Sequence, residues 1–176
     1  SLYGLNDYVG YTDATAIFGQ LDFPLTEKLT FTLGGRKTQE DKSGVRRTQL
    51  TQAGVPFPLI AATGSDSFDD FSQTVILDYE LNDSTNVYLK VADGFKAGGF
   101  NSEFNVYSQG TDWSPYSPEK IESVELGMKG LFADNRLLLN LAYFDNEHKD
   151  MQTPYFTADG AAASLVVNTQ AEMSGL

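Results

Sequence analysis

Cysteine is absent from these 176 residues, so neither a disulfide framework nor a thiolate metal site is available. Histidine occurs once, at His148, which leaves a transition-metal centre or a nucleophile triad without its usual partners and favours a structural role. Basic residues are scarce, 12 against 24 acidic ones, and the net charge of −12 excludes a nucleic-acid backbone as partner, since phosphates are bound through clustered Lys and Arg. No apolar run reaches the roughly 18 residues that a membrane-crossing helix needs. That excludes helical spans only, because a strand crosses with about 9 to 11 alternating residues.

What the chain does have is Gly, Tyr and Phe, 16, 9 and 12 of them, a composition that suits strands and turns. The stretch Phe71 to Asn101 sets the pattern. Val75, Leu77 and Tyr79 alternate with Thr74, Asp78 and Glu80; a turn of Asn82, Asp83 and Ser84 follows; then Val87, Leu89 and Val91 alternate with Tyr88 and Lys90. Each such hairpin has an oily face and a wet one. Ile17, Leu21 and Phe23, then Leu29, Phe31 and Leu33, repeat the plan, as do Val124 to Phe132 against Leu137 to Tyr143, and finally Leu165 and Val167. The period predicts an all-β, antiparallel up-and-down meander of about seven strands, and a soluble sandwich and a membrane barrel share that alternation.

The connections alternate. Short turns are expected at about 24–28, 82–86 and 133–136, and long outer loops at about 41–70, 97–117 and 151–162, with Ser1 to Thr12 as the tail of another loop. Short turns at one end and long loops at the other are the signature of an outer-membrane barrel, whereas a soluble sandwich mixes them. Phe23, Tyr79 and Phe132 near the short turns fit an interfacial aromatic girdle. Seven strands with two open edges cannot lie alone in hydrocarbon, which makes this a section of a longer barrel.

Within those strands, AIFGQLDFPLTEKLTFTLGGR (Ala16 to Arg36), YLKVADGFKAGGFN (Tyr88 to Asn101) and YSPEKIESVELGMKG (Tyr116 to Gly130) resemble successive pieces of TonB-dependent outer-membrane receptors of the ferric-siderophore type. Leu137 to Gln152 and Asn168 to Leu176 follow in the expected order. The resemblance implies that 1–176 is a single partial β-barrel region with neither plug domain nor TonB box, the middle of a barrel of about 22 strands, located in the bacterial outer membrane and used for energy-coupled uptake rather than catalysis. It implies as partners the membrane lipid, a plug domain of the same parent chain, the TonB complex reached through an N-terminal region, and a small iron chelate such as a ferric siderophore. No resident cofactor or metal is expected. A soluble or surface-anchored all-β binding module and a passive porin-like channel are the alternatives.

Phe100, Tyr107, Trp113 and Tyr116 are the ligand-contact candidates, because exposed rings in a long loop supply apolar area at small entropic cost; packing of the loop on itself is the simpler use of them. Arg36, Lys90, Glu125 and Lys129 are the candidates for facing a lumen or a plug, which fits the polar interior of large barrels. The acidic patch Asp66, Asp69 and Asp70 lacks the spacing of a calcium loop and reads as a solvated face.

Overall fold

The computed structural model describes residues 2–101, 115–134, 136–156 and 164–176. They form one antiparallel sheet with no helix among them: β1 (Leu2–Pro24), β2 (Leu29–Gln52), β3 (Val55–Pro56), β4 (Ile60–Asn82), β5 (Thr85–Lys96), β6 (Glu119–Phe132), β7 (Leu137–Phe156) and β8 (Ser164–Gly175). The order across the sheet is β1-β2-β4-β5-β6-β7-β8, with the two-residue β3 paired to the end of β2. The meander is as expected, with eight strands in place of about seven.

The expected loops are where the fold departs from the sequence reading. Ser1 to Thr12 lies almost wholly in β1, and 41–70 is strand almost throughout: β2 runs on to Gln52, β4 begins at Ile60, and their register continues unbroken from Leu29 opposite Tyr79 to Thr48 opposite Ile60. The reversal is made at Ala53 and Gly54, both with positive φ (50° and 81°), where glycine removes the Cβ penalty. The expected loop at 151–162 begins inside β7, and its residues 157–162, like 102–114 of the loop at 97–117, lie outside the described residues. At 24 residues, β2 is more than twice the length a bilayer requires. Its outer half has no oily face, because its exposed positions alternate with buried polar ones such as Arg46 and Thr48, so the apolar alternation that marks a strand disappears there.

Register then stacks the apolar positions into rows. Phe23, Phe31, Leu77, Leu89, Leu126 and Tyr143 lie side by side across six strands. Leu29, Tyr79, Val87, Met128 and Leu141 form the next row toward the short turns. None of these residues is in a core. Leu89 is 43% exposed and Leu126 58%, while the buried apolar residues among those described are Ala62, Phe68, Ala97 and Phe100, all beyond the rows. Burying one such side chain is worth about 1.5–3 kcal/mol, so an oily face this wide demands an apolar environment. A two-layer sandwich is excluded for the described residues, since they form one sheet with no second sheet or helix against its apolar rows.

Phe23, Tyr79 and Phe132 stand on that same face toward the turns, with the rings of Phe23 and Phe31 6.2 Å apart. The Asn82 side chain accepts the Ser84 backbone N–H at 3.0 Å, the local bond that makes Asn-Asp-Ser a turn.

Candidate functional site: the polar wall and the clasp at its mouth

Side chains alternate across the sheet, so the residues between the apolar rows share the opposite face. One cross-strand row there reads Asp22, Thr32, Ile76, Lys90, Glu125 and Phe144. Arg36, paired with Phe18 and Ser72, and Lys129, paired with Asn86, lie on the same face. The four charged residues singled out from the sequence thus share one polar wall.

Its charges are held unevenly. Glu125 stands directly across from Lys90, yet its carboxylate accepts the Tyr88 hydroxyl at 2.6 Å. Asp78 accepts the Asn86 amide at 2.5 Å, and Asp22 accepts the Thr32 hydroxyl at 2.7 Å. The Tyr88 ring covers Gly127, where a Cβ would collide with it, and Lys129 lies 5.1 Å from the ring centroid. Arg36 lies 5.8 Å over the Phe18 ring and donates from Nε to Thr38 at 3.0 Å.

Beyond β5 the chain turns onto this wall. Phe100, 8% exposed, packs with Ala62 and against Gly64, and Gly98 lies under the Phe68 ring and the Tyr116 carbonyl with no room for a side chain. Lys42 donates to the Gly98 carbonyl at 2.9 Å, and Tyr116 closes an antiparallel bridge with Gly99. The other side of this segment is tied to β7 and β8. Gln152 donates from Nε2 to the Ala97 carbonyl at 2.9 Å and the Ser117 carbonyl at 3.2 Å, Asn168 exchanges bonds with Ser117, and Asn101 accepts the Val166 N–H at 2.7 Å. These contacts make a clasp that joins β2 and β4 to β7 and β8 across the loop end of the sheet.

Phe100 and Tyr116 therefore serve as packing groups of the clasp, while Tyr107 and Trp113 lie outside the described residues. Asp69 and Asp70, next to each other in β4, point to opposite faces: Asp69 pairs with Lys37, and Asp70 with Lys120 at 2.9 Å. They do not converge, and no group of metal-ligating side chains occurs among the described residues. Gln152, Asn168, Lys42 and Phe68 were not marked by any pattern in the sequence, because isolated amides and a ring in a polar stretch have no distinctive spacing.

Glu119, at the loop end of β6 and beyond the apolar rows, anchors the clasp to β7. Its carboxylate accepts the Gln152 backbone N–H at 3.1 Å, and His148 and Lys96 lie 3.3 and 3.8 Å away. The Gln152 N–H is the largest influence holding Glu119 below the usual carboxylate range; burial opposes it, and His148 and Lys96 add to the lowering. A lowered folded-state pKa contributes stability that is complete above the unfolded-state value and is lost as pH falls through the folded one. The protein's melting temperature is expected to drop across the acidic carboxylate range, with a smaller drop in Glu119→Gln. Parallel melting curves for the two would count against the clasp role of this carboxylate.

A family model described as TonB dependent receptor-like, beta-barrel matches residues 1–176. The pesticin receptor of Yersinia pestis is 32% identical over 145 residues, covering 81% of this chain and 20% of that protein, and the pesticin receptor of Yersinia enterocolitica aligns with the same figures. Among solved structures, the ferric yersiniabactin uptake receptor from Yersinia pestis superposes with a TM-score of 0.63 at 29% identity, over 84% of this chain and 22% of that one. The chain spans about a fifth of the length of these relatives.

Proposed function

This chain belongs to the TonB-dependent receptor β-barrel family of the Gram-negative outer membrane, and from that premise we propose that it is one section of the wall of a receptor that takes up an iron chelate of the siderophore type. The observation that carries the reading is the division of a single sheet into an oily face with no protein partner and a polar face lined by held charges. Lipid covers the first, and the second lines an enclosed lumen. The free edges of β1 and β8 need further strands of the same barrel, since an unpaired backbone group in hydrocarbon costs several kcal/mol. Arg36, Lys90, Glu125 and Lys129 face the lumen and the plug domain of the parent chain, and the parent is a transporter, not an enzyme. Energy reaches it from the TonB complex through the plug-bearing N-terminal region.

The ferric yersiniabactin uptake receptor supports an iron-chelate cargo by its likeness to this chain. Deleting the parent gene is expected to abolish growth on at least one defined ferric chelate as sole iron source and to leave growth on excess inorganic iron intact. Normal growth of the deletion strain on every siderophore class tested would defeat the reading. A passive channel predicts instead that uptake survives loss of TonB.

A further inference from the structure

The positive charges of this acidic chain are sorted by height along the sheet. At the loop end, Lys37, Lys42, Arg47, Lys96, Lys120 and Lys149 each have a carboxylate within ion-pair distance. Among the described residues no carboxylate comes that close to Arg36, Lys90 or Lys129, all on the polar wall between the loop end and the short turns. Acids are not lacking there. Glu125, Asp78 and Asp22 lie on that wall and are occupied by neutral donors, from Tyr88, Asn86 and Thr32. Two of the three cations rest instead on aromatic rings, Arg36 on Phe18 and Lys129 on Tyr88, contacts that position a cation without cancelling its charge.

Their heights are regular. Lys129 stands level with Asn86, and Lys90 lies four residues further along β5. Lys90 is level with Ile76, and four residues further along β4 is Ser72, level with Arg36. The cations are therefore about 13 Å of strand apart, running from the short-turn end toward the loop end. Sites that pass an ion must attract it yet release it, which calls for several weak, separated positions rather than one tight one. The chain as a whole carries a net charge of −12, so an anion approaching it is otherwise repelled.

We propose that Arg36, Lys90 and Lys129, which have no carboxylate within ion-pair distance among the described residues, form a track of cations that guides an anionic metal chelate along this side of the lumen. The inference rests on the reading above that the polar face lines an uptake lumen. It selects a charge class of cargo, which that reading leaves open.

The test uses the full-length parent receptor in cells, wild type and a triple variant Arg36→Gln, Lys90→Gln, Lys129→Gln, with radiolabelled iron supplied as a ferric tris-catecholate anion or as a neutral ferric trihydroxamate. Wild-type cells are expected to take up the anionic probe. In the triple variant its uptake should fall about tenfold, with receptor abundance in the outer membrane unchanged and each single variant intermediate. Unchanged anion uptake in the triple variant overturns the track. So does increased entry of large antibiotics into unenergised triple-variant cells, which would make a plug carboxylate the partner of these cations. Wild-type uptake of the neutral probe alone overturns the track and leaves the uptake reading standing; uptake of neither probe, with normal growth of the deletion strain on every chelate, overturns both.

Discussion

Replacing Leu89 by arginine is expected to destabilise the lipid-inserted parent receptor by about 2–4 kcal/mol, the cost of a cation on the lipid face near the bilayer midplane. Leu89 is the centre of its strand's oily run, with Val87 and Val91 as its neighbours on that face, Thr85 at the turn end and the polar Asp93 at the other. Its cross-strand partners are Leu77 and Leu126, so the arginine has no acid beside it and the same distance to either interface. Gln39, on the same face but opposite Thr15 and Asp69 in the outer half of β2, supplies the control. Gln39→Arg should cost no more than about 1 kcal/mol, as substitutions near or beyond the interface do. Urea titration of the receptor folded into lipid vesicles measures both. Equal costs at the two positions would mean that the apolar rows do not face lipid, and the assignment of faces would fall with that result.

The contrast between these two positions also explains which parts of the fold could be read from the sequence. Wherever one face meets lipid and the other water, side-chain chemistry repeats every second residue, and Val75 to Tyr79 or Val87 to Val91 declare both the strand and its facing. Parity alone then put Arg36, Lys90, Glu125 and Lys129 on one side. In Asp41 to Asp70 the buried side is itself largely polar, with Arg46, Thr48 and Asp70 beside Ala62 and Phe68, so the apolar period vanishes and a long strand pair looks like a polar loop. The turn inside it is marked only by Ala53-Gly54, a weaker signal than Asn-Gly. The clasp was illegible for another reason: the Gln152 bond to Ala97 joins residues 55 apart, and no local pattern encodes it. Phe100 could be recognised as important, but its burial against Gly64 depends on where β4 runs before Phe71.

Gly98→Val should break that clasp without unfolding the sheet. A Cβ at Gly98 would meet the Phe68 ring at 2.6 Å and would press still closer on the Tyr116 carbonyl oxygen, and the second of these obstacles is backbone. The Phe68 ring is itself 6% exposed and has Lys42 lying 5.9 Å above it, so it has little freedom to move away. Overfilling a packed site of this kind costs about 1–3 kcal/mol. The strain falls on contacts that are few and local: the Lys42 bond to Gly98, the Gly99–Tyr116 bridge and the Gln152 bond to Ala97. The long ladders of β1 with β2 and of β6 with β7 do not pass through them. Limited proteolysis of intact cells should therefore find new cleavage between Lys96 and Lys120 in the valine variant, while the barrel keeps its resistance to detergent at room temperature. Gly98→Ala, with the same collision but two fewer carbons, should show the same cleavage more slowly. Protection equal to wild type in both variants would show that this segment is not held against Phe68, and loss of the whole barrel would show that the clasp supports far more of the wall than its few bonds imply.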